Sequence, residues 1–429
     1  MFVLWKYNIV KNDELIVMAK NQTSCPICKK SFEKEEIEIH AALCGDVENN
    51  EPQPPAKTKP LHSTLQEAIE ILSSTVYTNK TQNNISVIRR IFMTTAMQQL
   101  EDIDWNCKLN ICFIGEEGFD SGGLGREFFS LFFKQTPLFD SGAFTVNSEY
   151  LEKKQYVLLG KIVAIAILHG HAGPQSLHPH ITDYILSMQE PDFNQIPLNV
   201  VRADVRHAID EITTSTNMKD QDNMYVDLLE IAGFLKLLTA ENKNDAVLSL
   251  KTHFAFYKFL PPILQFIEGL TLHNVLTELK NFSVEGKKCL QMNSYNDAAP
   301  VIDFYKPSYS KDENLKQKEE VCVYNFHQFL RKLQRGKICS KWVSLEDDSE
   351  EDVVLHLGHF LQAAVGSPTL PRDIICGLLI FDHSSKDLTT VNTCAPSITF
   401  KKIDEIQTYD NFEDSLINII VCAYGFGIE

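Results

Sequence analysis

Four potential metal ligands occur close together near the amino end of the chain. Cys25 and Cys28 are separated by two residues, and His40 and Cys44 follow with three residues between them. A helix would place His40 and Cys44 on one face, because residues four apart are neighbours on a helix surface. Three thiolates and one imidazole complete a tetrahedral Zn²⁺ shell with no open position, so the site predicted here is structural. The alternatives are a redox Cys-x-x-Cys pair or unrelated thiols.

A cysteine near the carboxyl end has a different setting. Cys394 is surrounded by the small or polar residues Asn392, Thr393, Ala395 and Pro396, which indicates an accessible loop. A thiol in such a loop becomes a nucleophile when its pKa is lowered or when a base takes its proton. Taken alone, this segment fits an exposed, inert cysteine better than a catalytic one.

The other cysteines outside these two groups occur singly in apolar stretches. We expect them to be buried and reduced, as in a cytosolic or nuclear protein: Cys107, Cys112, Cys289, Cys322, Cys339, Cys376 and Cys422. The total of 11 cysteines is odd and small for a chain of 429 residues, which argues against a disulfide scaffold.

A glycine-rich turn at 115–125 is a candidate for phosphate binding. It follows a β-prone run at 109–114 and precedes a helix rich in phenylalanine. The GxGxxG and GxxxxGKS patterns are both missing from it, and the carboxylates of Glu116, Glu117 and Asp120 would repel phosphate. We therefore expect a structural turn.

Composition excludes several classes of protein. Hydrophobic residues make up 44% and charged residues 23%, as in ordinary globular domains. Forty basic against 57 acidic residues give a net charge of −17, which disfavours nucleic acid as a partner. A membrane-spanning helix needs roughly 20 apolar residues in succession, and the sequence has no such run. We expect no nucleic-acid and no membrane partner.

The spacing of apolar residues predicts the main elements of a mixed α+β protein. It predicts helices over 65–72, 87–92, 156–170 and 323–333, and a strand over 109–114. Residues 45–61 contain four prolines and no apolar cluster, which is typical of a linker.

The amino-terminal cysteine and histidine pattern resembles UBZ-type ubiquitin-binding zinc fingers. The shared features are Cys-Pro-x-Cys, the central Phe32, the Ile37-x-x-His40 string and the closing Cys44. The resemblance implies a structural Zn²⁺ and ubiquitin as a partner. Ala42 stands where members of that family often have aspartate.

The carboxyl-terminal sequence resembles HECT-type ubiquitin ligases of the short form. In order along the chain it carries FLQAAVGS at 360–367, Pro371, Gly377, Thr393-Cys394, ITF at 398–400, Tyr409 with Phe412, LINIIV at 416–421 and GFG at 425–427. Further upstream, GEEGFDSGGLGREFF at 115–129 matches the same family, and the match continues into Tyr156 and Gly160.

This resemblance implies a small zinc finger followed by a bilobal HECT-like domain, with a mainly helical N-lobe and a smaller α/β C-lobe. The polar stretch 306–320 would be the hinge between the lobes. The predicted organisation is an N-terminal tail (1–21), a UBZ-like finger (22–47), a linker (48–62), an N-lobe (63–317) and a C-lobe (318–429).

The resemblance also implies a chemistry. Cys394 would accept ubiquitin from a conjugating enzyme as a thioester and pass it to a lysine of a protein substrate. Thr393 would shape the loop, and Phe426 would position the transfer. Asn392 stands where the family often has histidine, and Leu388-Thr389 replaces the usual Leu-Pro.

Two alternatives remain open at this point. One is a catalytically inactive adaptor that keeps the fold and binds ubiquitin through residues 22–47. The other is a different thiol enzyme, such as a deubiquitinase, which needs a histidine base near Cys394. His383 is the nearest histidine in the sequence.

Overall fold

The computed structural model describes two separate units of the chain, Met1–Leu61 and His62–Glu429. The described residues are 22–24, 31–33, 62–78, 81–116, 122–292, 297–343, 350–371 and 374–425. In the first unit, strand β1 (Gln22–Ser24) pairs antiparallel with β2 (Ser31–Glu33), and Ser24 lies opposite Ser31. The predicted zinc ligands Cys25, Cys28, His40 and Cys44 lie outside the described residues.

The second unit mixes helices and strands, in agreement with the α+β class. Its α-helices in chain order are α1 (Leu65–Val76), α2 (Phe92–Leu100), α3 (Gly123–Gln135), α4 (Ser148–Glu152), α5 (Gln155–Leu168), α6 (Pro179–Ser187), α7 (Ala203–Thr214), α8 (Met218–Ile231), α9 (Lys243–Ala255), α10 (Leu260–Leu270), α11 (Val275–Asn281), α12 (Ser283–Leu290), α13 (Ala299–Phe304), α14 (Glu313–Gln334), α15 (Leu357–Val365) and α16 (Tyr409–Gly425).

Short 3₁₀ turns and strands complete the unit. The 3₁₀ turns are Arg89–Ile91, Leu198–Val200, Tyr257–Phe259 and Leu272–Asn274. The strands are β3 (Gln82–Val87), β4 (Lys108–Phe113), β5 (Phe139–Asp140), β6 (Ala143–Phe144), β7 (Tyr305–Pro307), β8 (Ile338–Val343), β9 (Glu350–Leu355), β10 (Gly377–Asp382), β11 (Thr390–Asn392) and β12 (Ser397–Lys401).

A large core is formed by residues 65–186 and 256–290. Its central helix α5 is apolar on almost all sides, as expected for a helix enclosed by protein. Helices α5 and α10 cross at Gly160 and Gly269. A Cβ atom on Gly160 would overlap the carbonyl oxygen of Phe266, and one on Gly269 would overlap the carbonyl oxygen of Val157. The missing side chain therefore lets the two backbones touch.

Two further cores lie in the same unit. A small core is formed by residues 196–255, which include helices α7, α8 and α9. A carboxyl-terminal core is formed by residues 298–420 around a four-stranded sheet with the order β11-β12-β10-β7. Strand β10 is parallel to both β12 and β7, and β11 runs antiparallel to β12. This sheet positions the Cys394 loop.

The helix predicted over 87–92 is wrong in its first part. Residues up to Val87 form β3, which pairs in parallel with β4, and a 3₁₀ turn follows before α2. Ile85 and Val87 both point into the large core, so the sequence alternates with the period of a strand there. The strand over 109–114 and the helix over 323–333 are confirmed by β4 and α14.

The predicted hinge at 306–320 carries regular structure. Residues 305–307 form β7 in the carboxyl-terminal sheet, and α14 begins at Glu313. Residues 298–305 already pack in the carboxyl-terminal core, while the large core ends at Leu290. The change of core therefore lies between 290 and 298.

Candidate active site

Cys394 lies in a tight turn between β11 and β12, and its side chain is partly exposed. The two strands close the turn by pairing Asn392 with Ser397. Inside the turn, the side-chain oxygen Oδ1 of Asn392 accepts hydrogen bonds from the backbone N–H groups of Cys394 (3.0 Å) and Ala395 (3.1 Å). Asn392 thus serves as the cap of the turn.

The turn is attached to the large core through Arg126 on α3. The Arg126 side chain is only 2% exposed. Its Nη2 atom donates to the carbonyl oxygen of Thr393 at 2.5 Å, and its Nε atom donates to the carbonyl oxygen of Val365 at 2.9 Å. One guanidinium therefore connects α3, the end of α15 and the residue immediately before the thiol.

Two adjacent glycines make this contact possible. Gly122 has a φ of +111°, and a Cβ atom there would lie 3.1 Å from the Arg126 Nη1 atom. A Cβ atom on Gly123 would lie 2.7 Å from Cys394 Sγ and 2.8 Å from Thr393 Oγ1, closer than real Cβ atoms approach other groups. A side chain at 123 would therefore displace the Cys394 and Thr393 side chains from their present positions.

The same junction includes the end of the FLQAAVGS string. Gly366 caps α15 with a φ of +75°, and a Cβ atom on it would lie 3.0 Å from the Gly123 carbonyl oxygen. The Ser130 hydroxyl on α3 donates to the Gly366 carbonyl oxygen at 3.3 Å and lies 3.1 Å from His171 Nε2. The FLQAAVGS segment, the start of α3 and the Cys394 turn are far apart in sequence but thus meet in the structure.

The Cys394 thiol lies at the amino end of a helix and beside a buried arginine. The Sγ atom lies against Gly123, the first residue of the 13-residue helix α3. A helix carries partial positive charge at its amino end, and a cysteine thiol there is more acidic than in water. The Arg126 guanidinium, bound to the neighbouring carbonyl, adds a full positive charge.

His383 is not placed to act as a base for Cys394. Parallel pairing puts Leu378 beside Ser397 and Asp382 beside Lys401. Cys394 therefore lies just before the start of the paired segment of β10 and β12, whereas His383 lies just after its end. The two ends of that segment are roughly 13 Å apart, at about 3.3 Å per residue. His383 instead bonds Glu319 Oε1 at 2.7 Å. The deubiquitinase hypothesis, which depended on this histidine, is not supported.

A cavity of about 670 Å³ borders the thiol turn. Thr393 lines it together with Arg89, Glu127 and Lys401, so its wall comes from both the large and the carboxyl-terminal cores. Arg89 pairs with Glu127 at 2.7 Å and with Glu116 at 2.8 Å. Burial disfavours the charge on Arg89, but the two carboxylates raise its pKa overall, so the group stays ionised.

The prediction that the scattered cysteines are buried is wrong for four of them. Cys289 and Cys322 are buried and Cys107 is intermediate, but Cys112, Cys339, Cys376 and Cys422 are exposed. In β4 the cause is strand alternation, because Cys112 lies between the buried residues Ile111 and Phe113 and points outward. Accessibility alone therefore does not distinguish Cys394; its polar turn and its contact with α3 do.

Several predicted features cannot be placed on this site. Phe426 and Asp120 lie outside the described residues, as do the four predicted zinc ligands. Within the described ranges, no group of three or more His, Cys, Asp or Glu side chains could hold a metal ion. Helices in the same ranges are all too short or too polar to cross a membrane.

Sequence inspection found the thiol but missed its supporting residues. Gly123 and Arg126 belong to the segment 115–129 that resembles the family, but nothing in the sequence indicates that they contact Cys394. Asn392 was noted only as a departure from the family pattern. The missing information was spatial, since Arg126 and Thr393 are separated by 267 positions.

Known proteins similar to this chain include two from Arabidopsis thaliana, E3 ubiquitin-protein ligase UPL2 and E3 ubiquitin-protein ligase UPL1. Each is 26% identical to the chain, over 323 and 328 residues respectively. Both relatives are ubiquitin ligases. The aligned region covers 67% of this chain but only 8% of each relative. No family model matches the chain.

Proposed function

We propose that the chain is a HECT-type ubiquitin ligase of the short form, similar to the G2/M-phase-specific HECT ligase. The single observation that carries this proposal is the position of Cys394. It is a partly exposed thiol in a capped polar turn, held against the amino end of α3 by Arg126. Similarity to two ubiquitin ligases supports the same assignment.

The proposed reaction has two acyl transfers. The Cys394 thiolate attacks the thioester carbonyl that joins ubiquitin to the conjugating enzyme, and the cysteine of that enzyme leaves as its thiolate. The amine of a substrate lysine then attacks the new thioester, loses a proton to form an isopeptide bond, and releases the Cys394 thiolate. A thiol suits both steps because its thiolate is a strong nucleophile and a good leaving group.

Acidity in this proposal comes from the position of the thiol. A neighbouring histidine base is not needed if the amino end of α3 and Arg126 already stabilise the thiolate. Asn392 is then free for its role as the cap of the turn. Thr393 presents its carbonyl to Arg126, and Phe426, by resemblance, positions the transfer.

The small core offers the surface on which we propose that the conjugating enzyme docks. Its apolar residues Leu235 and Leu237 are 81% and 78% exposed, and Met224 and Ile231 on α8 are also exposed. The N–H of Leu238 bonds Asp222 of α8 at 3.0 Å, which places the 235–237 segment beside that helix. Exposed apolar patches of this kind mark interaction sites.

This docking surface has a direct test. Replacing Leu237 with aspartate should prevent ubiquitin loading from a conjugating enzyme, while the reaction of Cys394 with a small alkylating reagent stays unchanged. Val284→Asp is the control, because Val284 is a 64% exposed apolar residue on α12, outside the small core. Normal loading of Leu237→Asp would remove the assignment of this surface.

For the first unit we propose a structural zinc site. Three cysteines and one histidine are a preferred donor set for Zn²⁺, and Cys25, Cys28, His40 and Cys44 would hold it. Support comes from β1 and β2, which pair on either side of Cys25 and Cys28 in the sequence. The bound ion would fold this segment, through which we propose that ubiquitin binds. We expect the wild type to contain one zinc ion per chain. The Cys25→Ala variant should lose both the zinc and the affinity for ubiquitin.

The thioester assay tests the proposed activity. The chain is incubated with activating enzyme, conjugating enzyme, ubiquitin and ATP. An adduct that disappears with reductant is expected for the wild type and not for Cys394→Ala. If no conjugating enzyme gives an adduct although the chain binds ubiquitin, the inactive adaptor becomes the better assignment. We propose a cytoplasmic or nuclear location, consistent with reduced thiols.

A further inference from the structure

We propose that Arg126 is a positioning residue, which sets the direction of the Cys394 thiol by fixing the peptide group that precedes it. Thr393 and Cys394 share one peptide group. Its carbonyl oxygen accepts from Arg126 at 2.5 Å, and its N–H donates to Asn392 Oδ1 at 3.0 Å. The carbonyl oxygen and the N–H of this peptide group are therefore both hydrogen-bonded. Arg126 and Asn392 together fix the orientation of the peptide group from which the Cys394 side chain extends.

Arg126 is itself held rigidly enough for this purpose. Its side chain is almost fully buried, and a second bond to the Val365 carbonyl oxygen at 2.9 Å fixes the plane of the guanidinium. Gly122 leaves the space that the Nη1 atom occupies. A guanidinium presents several N–H groups in a fixed plane and can bind two carbonyls at once, whereas a lysine ammonium is a single flexible point charge.

The two partners of the peptide group come from different cores. Asn392 belongs to the carboxyl-terminal sheet, but α3, which carries Arg126, packs in the large core. The orientation of the thiol therefore depends on contact between these cores at Gly123. Separation of the cores would remove the Arg126 hydrogen bond from the turn, and Sγ would lose its place at the amino end of α3.

This inference rests on the proposed function only in naming the thiol as the carrier of ubiquitin. It can be tested without ubiquitin, by following the alkylation of Cys394 with iodoacetamide from pH 5 to pH 10 and resolving each cysteine by peptide mass spectrometry. The full-length wild type is compared with Arg126→Ala, Arg126→Lys and Asn392→Ala. Arg90→Ala is the matched control, since Arg90 is an exposed arginine outside this junction.

We expect Arg126→Ala and Asn392→Ala to move the midpoint of the Cys394 profile to higher pH. A rise of one pKa unit lowers the alkylation rate near neutral pH by about tenfold. Arg126→Lys keeps the charge but not the two-point hold, so its shift should be smaller and in the same direction. The profile of Arg90→Ala should match that of the wild type.

The buried thiol Cys322 reports whether each variant is folded, because it becomes labelled only on unfolding. If Cys322 labelling shows that Arg126→Ala is unfolded, Arg126→Lys and Asn392→Ala decide the question. Folded variants whose Cys394 profiles coincide with the wild type would overturn the inference. The thioester assay is independent, so a shifted profile without a ubiquitin adduct would reject the proposed function and keep the role of Arg126.

Discussion

Cys322 and Cys394 lie in the same part of the chain but in opposite environments. Cys322 is on α14, fully enclosed in the carboxyl-terminal core, and burial raises the pKa of its thiol to about 12 with a further contribution from the charge of Glu319. Cys394 lies in a partly exposed polar turn beside the amino end of α3. The first thiol is kept protonated and inaccessible, whereas the second is accessible and next to positive charge.

The contrast shows that surroundings, and not residue type, decide how accessible a cysteine thiol is and which charges lie near it. In α14 the helical period directs Cys322 inward together with Phe326 and Phe329. In the turn, Asn392 replaces regular backbone pairing and leaves the side chain of Cys394 at the boundary between two cores. Each of the following experiments breaks or sharpens this difference.

The largest expected effect is in the alkylation of the two native thiols. At pH 7, a thiol with a pKa of about 12 has about three orders of magnitude less thiolate than an ordinary cysteine of pKa about 8.5. Cys394 should therefore react with iodoacetamide at least about 10³ times faster than Cys322, as measured by time-resolved peptide mass spectrometry. Rates within tenfold of each other would contradict the contrast.

The next effect comes from filling the space beside the thiol. Gly123→Ala places a methyl group 2.7 Å from Cys394 Sγ and 3.0 Å from the Cys394 backbone nitrogen, so the thiol or the turn must shift. We expect a loss of about 1–3 kcal/mol in the free energy of unfolding, typical of overpacking, and at least about tenfold slower thioester formation. Thermal or denaturant unfolding and the loading assay measure the two quantities.

Gly358→Ala is the matched control for this substitution. Gly358 is also in a helix near the junction, but the nearest atom to its added Cβ would be 3.3 Å away in the ring of His356, so a shift of a few tenths of an ångström is enough to accommodate it. Loading by this variant should remain at the wild-type rate. Equal losses in both variants would mean that the close approach at Gly123 has no special role.

A third substitution removes Glu319, the buried carboxylate near Cys322. Glu319 is fully buried and accepts hydrogen bonds from Ser310 and His383. Glu319→Ala leaves both donors unpaired, which should cost about 1–3 kcal/mol of stability and raise the labelling rate of Cys322. The labelling of Cys394 should not change, because Glu319 lies near the opposite end of the sheet. Faster labelling at Cys394 as well would show that the two regions are coupled.

The smallest expected effect is a pH dependence of the free energy of unfolding that comes from His359 on α15. Burial, with the nearby positive groups His356 and Lys134, lowers the pKa of His359 to about 4. Between pH 6.5 and pH 4 the unfolded chain binds a proton at this position that the folded chain does not, so stability falls as the pH decreases through that window. The slope of the free energy of unfolding against pH is set by the number of protons taken up on unfolding. His359→Gln should reduce that number by up to about one. Identical slopes in thermal unfolding would contradict this.

Periodic and local features of the fold could be predicted from sequence. The inward residues of α14, the β4 strand and the polar turn of Cys394 all follow from patterns within a few residues of one another. The failure at 87–92 has a physical reason, because a short apolar run satisfies both the helical and the strand period and only pairing with β4 decides between them.

The supporting residues of the candidate site could not be predicted in the same way. Contacts between Arg126 and Thr393, or between Gly123 and Gly366, join positions more than 240 residues apart and depend on how two cores pack. A pattern of residue types gives no register between such distant segments. The four exposed cysteines also show that apolar neighbours in sequence do not guarantee burial.

The central claim is that Cys394 carries ubiquitin, and a serine substitution tests it most directly. A hydroxyl at this position can accept the same acyl group but forms an ester that resists thiol reductants. Wild type should give a ubiquitin adduct that reductant removes, and Cys394→Ser should give one that survives reductant and is lost in alkali. Cys339→Ser, which changes an exposed thiol that does not line the cavity beside the Cys394 turn, should behave as the wild type. A reducible adduct that persists in Cys394→Ser, or that disappears in Cys339→Ser, would contradict the account.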